Sequence, residues 1–350
     1  MPDSAHETAD GTRGPVVGAT APGDWPGTDP HEANRAVRGE LGGANLSFLP
    51  SLPARGPGSD AVGRTLGVLV ELPFDLQPHG WRLVQRPGKD QRRAESALSS
   101  DINALGDVAG AEESPAPRMK LHLSGPLSLA AGVHLHGGER VLIDHGARRE
   151  LYESLAVGAA DLVRRVSAVA RGAEVLVQFD EPDADDVLTG RVPTASGYRS
   201  LRALDRREAT EAWDLVTASV VAAGAAGTVL APGHGDVAVD AARSSAAHAL
   251  SLDLRRVSDR RWEDLAADIE SGRQLWLGIL DGRTGVPQVR VLAESVFAVW
   301  RRIGLPAAAL ASLTLTALPG LDALTPTGAT RALTRLAQAA DALDQIRAEG

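Results

Sequence analysis

Two adjacent carboxylates, Asp180 and Glu181, close an apolar run that reads EVLVQFDEP, and their position suits them to chemistry. Val175, Val177 and Phe179 alternate with Leu176, Gln178 and Asp180, which is the period of a β-strand, so Gln178 and Asp180 share a face. Pro182 cannot extend a ladder and pushes Glu181 toward extended geometry, so the strand is expected to end at the carboxylates. A parallel strand presenting a carboxylate at its C-terminal rim is how an α/β barrel places an acid for binding or catalysis. The same pair could also do no more than cap the next turn.

Other groups form a second tier. Lys120, His122 and Ser124 alternate with Met119, Leu121 and Leu123, and in a barrel that polar face is the interior, where His122 reads as a hydrogen-bonded core histidine. His134 and His136 flank Leu135 at a metal-compatible spacing, but two ligands without a third make no site. Trp25 and Trp81 fall at expected strand-to-helix loops, as a stacking wall for a planar ligand or as a lid. Asp183, Asp185 and Asp186 read as a solvated helix start. Arg191 and Arg199 flank the 193–197 loop, available to a carboxylate or simply at the surface. His234, Asp236 and Asp253 offer a nitrogen–oxygen metal set, although His234 sits in a glycine loop and reads more simply as solvated.

The elements that must position these groups follow from periodicity and breakers. Strands are expected at 16–20, 72–77, 119–124, 174–180, 228–231, 249–254, 275–280 and 313–317. Helices are expected at 31–40, 61–70 (capped by Asp60), 89–105, 144–171, 208–222, 262–270, 294–302 and 330–348. The stretches 42–59 and 106–117 read as loops, the second mobile, and residues 1–12 as a disordered tail before a single barrel domain over 13–350. Strands alternating with helices point to a single (β/α)8 TIM barrel of the α/β class, with an open doubly wound sheet as the fallback. No glycine-rich phosphate loop follows an early strand.

Composition narrows the functions. There is no cysteine, which removes disulfides, thiolate metal ligands and a cysteine nucleophile. A formal charge of −9 without a basic run disfavours nucleic acid and anionic membrane as partners. The N-terminal residues are polar and carry no secretion signal, and no apolar stretch reads as a membrane span, so a cytoplasmic protein acting on a small molecule is expected.

Five segments together resemble the C-terminal barrel of cobalamin-independent methionine synthase, in its short actinobacterial-type form. They are GDWPGTDP (23–30), PARGPGSD (53–60), DLQPHGWRL (75–83), SGPLS (124–128) and QFDEP (178–182). The resemblance spans nearly the whole chain. It implies a methionine-synthase/uroporphyrinogen-decarboxylase-like barrel, and a methyltransferase that moves a methyl group from a methylated folate or other donor onto homocysteine or a related amino-acid thiol held by zinc. Carried over residue by residue, Asp180 receives the substrate amino group and Asp24 stands where the family has a homocysteine-binding serine. Gly63 stands at a family glutamate, and Arg283 at a family histidine. The family's His-x-Cys pair falls on Leu230-Ala231-Pro232, its zinc-binding glutamate on Asp253 and its last cysteine on Pro319, so the expected zinc ligands are absent.

The substrate-binding candidates are therefore Asp180, Glu181, Asp24, Trp81 and Ser124, with Asp253 and His234 the remaining metal candidates. Two other readings stand beside methyl transfer. A diverged barrel would bind a small molecule or a partner. A retaining glycoside hydrolase would use Glu181 as acid/base and Asp281 as nucleophile, although an aromatic content of 3% leaves few sugar-stacking platforms.

Overall fold

The computed structural model describes residues 16–170 and 172–349, so the proposed tail at 1–12 lies outside the described residues. Eight parallel strands make the main sheet: β1 (Gly18–Thr20), β2 (Ser47–Phe48), β5 (Arg118–Ser124), β6 (Glu174–Asp180), β7 (Gly227–Ala231), β8 (Ala249–Asp253), β9 (Gln274–Leu280) and β10 (Leu313–Ala317). Two further strands, β3 (Phe74–Gln77) and β4 (Gly80–Leu83), form a separate antiparallel hairpin. The order β1-β10-β9-β8-β7-β6-β5-β2 leaves one seam, between β1 and β2. Backbone hydrogen bonds cross it, from Leu46 N to Ala19 O (2.9 Å), Trp25 N to Ser51 O (2.8 Å) and Ser51 N to Gly23 O (2.9 Å). The sheet thus closes on itself as a (β/α)8 barrel.

Helices cover the outside: α1 (Pro30–Glu40), α2 (Ala61–Leu66), α3 (Lys89–Ala111), α4 (Pro126–Gly132), α5 (His145–Val169), α6 (Ala184–Thr189), α7 (Arg206–Ala222), α8 (Asp236–Arg243), α9 (Asp259–Glu270), α10 (Val289–Ile303) and α11 (Pro326–Glu349). Their starts obey local chemistry. Asp60 accepts from Gly63 N to cap α2, Asp144 from Ala147 N to cap α5, and Ser258 from Arg261 N to cap α9. None of the described helices is long and apolar enough to cross a membrane.

Apolar residues divide into two groups, as a barrel requires. The large one lies between strands and helices, and a small one, Leu46, Val229, Ala249 and Trp276 with Leu176 against it, plugs the barrel interior. The parity expected for β6 holds. Gln178 and Asp180 face inward with Leu176, while Val175, Val177 and Phe179 join the outer core.

The second barrel strand and several helix ends differ from the sequence expectations, α10 and α11 starting five and four residues earlier than expected. The second barrel strand is Ser47–Phe48, inside the stretch read as a loop, and 72–77 belongs instead to the hairpin. Two residues carry no readable alternation. β2 is a strand because β5 supplies its register, Ser47 to Met119 and Phe48 to Lys120. Helix α2 stops at Leu66, four residues early. Helix α3 runs on to Ala111, with Ala109 buried, so residues 106–111 are helix rather than loop.

Candidate functional site at the barrel mouth

Strands β5 and β6 lie side by side with Ser124 opposite Asp180 and His122 opposite Gln178, so one inward face carries five polar side chains. A chain of hydrogen bonds runs up this face. Lys120 Nζ donates to Ala21 O (2.6 Å) and to Gln178 Oε1 (2.7 Å), and Gln178 Nε2 donates to Asp180 Oδ1 (2.6 Å). The lysine fixes which way the Gln178 amide points, and the amide then fixes the Asp180 carboxylate. Phe48 and Trp276 flank the ammonium at 5.8 and 5.5 Å. Lys120 lies at the foot of the polar face that His122 and Ser124 continue.

Burial sets the protonation of these groups. Removal from water lowers Lys120 to about 8, against the pull of Asp180 and Asp24. The same desolvation raises Asp180 to about 6, opposed by the Gln178 hydrogen bond and by Lys120. Asp24, in the loop after β1, is raised by burial and steadied by a 2.5 Å hydrogen bond from Ser51 Oγ. Neither Asp180 nor Asp24 has a direct ion-pair partner among the described residues. Arg64, which also reaches Asp24, is already paired with Asp101, so Lys120 is left facing the two carboxylates Asp24 and Asp180, an imbalance that suits a positively charged guest.

Farther round the rim the acids are already matched. Asp253 pairs with Arg255 (3.2 Å) and Arg256 (3.7 Å), and Asp281 with Arg283 (3.0 Å) and Arg255 (3.5 Å). Ser124, nearly buried, lies on the rim beside Asp180, its N–H donating to Thr65 Oγ1 (2.9 Å). Asp24, Ser124 and Asp180 are therefore brought together, while Asp253 lies across the mouth under two guanidinium groups.

Glu181 and Trp81 lie elsewhere. Glu181 is wholly buried and accepts from Leu127 N (3.0 Å), Ser128 N (2.6 Å) and Trp213 Nε1 (2.7 Å), which fastens α4 to the strand end. Burial lifts it to about 7 in spite of those donors. Sealed by three N–H groups, it faces the wall behind β6. Trp81 is buried on β4, its indole donating to Asp60 Oδ1 (3.2 Å) and its ring set edge-on to Phe74 at 5.7 Å. A Cβ on Gly63 would lie 2.5 Å from Trp81 Cζ2, so this indole occupies the room a side chain at 63 would need. Trp25 likewise packs inward, 6.4 Å from Phe48.

The remaining candidates are dispersed. His134 shares its Nδ1 with Gly138 O (3.0 Å) and lies edge-on to His79, while His136 is exposed. Asp185, expected to be solvated, takes Arg191 (2.6 Å) and Ala238 N (3.0 Å), which anchors α8 to α6. Arg199 is exposed. Cavities of about 380 and 490 Å³ lie outside the barrel and carry the already matched pairs Arg148–Glu208 and Arg38–Glu112.

Zinc, which the resemblance implies, does not suit these residues. Leu230 is packed in the outer core, Ala231 and Pro319 carry no donor atom, and Asp253 is held by arginines. His234 is exposed beside a cavity of about 20 Å³, and Asp236 is paired with Arg261 at 3.0 Å. Among the described residues no group of three or more His, Asp or Glu side chains converges as a metal site.

A closed parallel α/β barrel with its polar groups at the C-terminal rim defines the class of this protein. Among solved structures, the chain is similar in fold to a B12-independent methionine synthase from Shewanella sp. W3-18-1 in complex with selenomethionine, with a TM-score of 0.59 and 10% identity over 94% of this chain and 98% of that one. The carboxyl transferase domain of Rhizobium etli pyruvate carboxylase matches at a TM-score of 0.30 and 11% identity, covering 93% of this chain and 54% of that one. No family model and no curated protein matches the sequence.

Proposed function

We propose that this chain is a methionine-synthase-like barrel that binds an ammonium-bearing small molecule at its mouth, an amino-acid thiol of the homocysteine class being the leading candidate. Asp180 takes the ammonium, Asp24 lies beside it, and the metal site of the resembled enzymes has been lost. The observation that carries this reading is the acid pair itself. Two desolvated carboxylates face one internal cation, and neither has a salt-bridge partner among the described residues. An ammonium guest restores the balance. The similar barrel from Shewanella is described in complex with selenomethionine, which makes L-methionine a sensible second probe.

Methyl transfer to the thiol is the reaction the resemblance suggests. A thiol near its ordinary value of about 8.5 is mostly protonated at neutral pH. The glycoside-hydrolase alternative loses support because Glu181 is spent on three N–H donors. Calorimetric titration with L-homocysteine, together with metal analysis after incubation with zinc, tests the proposal. Binding without retained zinc is expected. Stoichiometric zinc held through dialysis would overturn the lost-site reading, and methionine formation from homocysteine and a methyl-folate would show that transfer persists.

A further inference from the structure

His122 projects from β5 into the mouth, one inward position below Ser124 and opposite Gln178. Its ring is more than nine-tenths buried, yet neither Nδ1 nor Nε2 has a hydrogen-bond partner among the described residues. Buried polar groups in native proteins are rarely left so, because each unmade hydrogen bond costs about 1–3 kcal/mol. The surroundings are shaped to the ring. A Cβ at Gly23 would lie 1.5 Å from His122 Cε1, so the glycine backbone packs directly on the imidazole and presents Asp24 as the next residue.

We propose that His122 is the second anchor of the same ligand: its ring nitrogen binds the carboxylate of an α-amino acid whose ammonium Asp180 and Asp24 hold. This rests on the ammonium-site reading and deepens it by naming the group at the other end of the ligand. The local field agrees. Burial, with Arg64 and Lys120, holds the imidazole neutral, so it keeps one N–H to donate to an acceptor.

The test compares L-methionine with 3-(methylthio)propylamine, the same molecule without its carboxylate, by calorimetric titration of the full chain. Wild-type protein should bind L-methionine at least roughly tenfold more tightly, the worth of one hydrogen bond to a charged group. His122→Leu should abolish that preference while leaving the amine's affinity unchanged. His122→Gln, which keeps a donor, should restore part of it and serves if the leucine variant does not fold. A preference unchanged in both variants would overturn the assignment of His122. If Asp180→Asn then weakened both probes alike, the ammonium site would stand without it. Failure of the wild-type protein to bind either probe would overturn both.

Discussion

Lys120→Met is the perturbation that reads the inner mouth most directly, because methionine keeps the length and apolar stem of lysine and removes its charge. The two hydrogen bonds linking Nζ to Asp180 through Gln178 are 2.7 and 2.6 Å long, so with the amide between them the charges stand within about 7 Å. At an effective dielectric near 20 such charges attract by roughly 2 kcal/mol, equivalent to more than one pH unit. Lys120 is one of the influences holding Asp180 down to about 6, so its removal should raise that value by about one to two units. The assay is the affinity for L-methionine across roughly pH 5 to 9. The half-point of binding on the acid side should move upward in the variant, with affinity preserved well above it. A half-point that stayed in place or moved down would refute the electrostatic link. Stability should change little. The ammonium's value falls from 10.5 to about 8 on burial, a cost near 3 kcal/mol below pH 8, and losing it offsets the acceptors left unpaired on Ala21 and Gln178. The sign follows from linkage: because the folded value is the lower one, the wild-type protein should gain stability from this group between pH 8 and 10.5, and the variant should not.

Other expectations can be checked with the same preparations. Glu181, raised from 4.5 to about 7, contributes stability that is present below pH 4.5 and lost as pH rises through 7, so Glu181→Gln should flatten that part of the melting-temperature profile. Gly63→Ala should cost about 1–3 kcal/mol by denaturant titration, because the new methyl meets Trp81, and Trp81→Phe in the same chain should recover part of it. Arg255→Ala should leave Asp253 and Asp281 less well matched and raise the pH at which Asp281 titrates, read by carboxyl NMR.

Much of the barrel was legible because long strands carry their own pattern. β6 begins and ends where the alternation of 174–180 and the proline at 182 place it, and β5 shows its polar face in Lys120, His122 and Ser124. β2 was not legible, since its two residues take their conformation from a neighbouring strand that lies far off in sequence. For the site, alternation sufficed to put Asp180 at the rim. The same alternation aims Asp180 rather than Glu181 at the mouth, but the partners that bury Glu181, Leu127, Ser128 and Trp213, come from distant helices and could not be read from it. The fates of Trp25 and Trp81 were equally hidden, because whether an indole stacks on a ligand or fills a wall depends on Phe48, Phe74 and Asp60, residues distant along the chain. The role of Lys120 is hidden for a similar reason: its partners, Ala21 after β1 and Gln178 within β6, are distant along the chain.

The most direct test of the account is calorimetric titration of L-methionine into the wild-type protein and Asp180→Asn at neutral pH. Asparagine keeps the shape of the side chain, and it removes a carboxylate whose burial is unfavourable, so the melting temperature should hold or rise. The affinity should fall by roughly ten- to a hundredfold, as expected for loss of a charged hydrogen bond to an ammonium. An affinity unchanged in a folded variant would contradict the claim that this barrel holds its ligand by the amine.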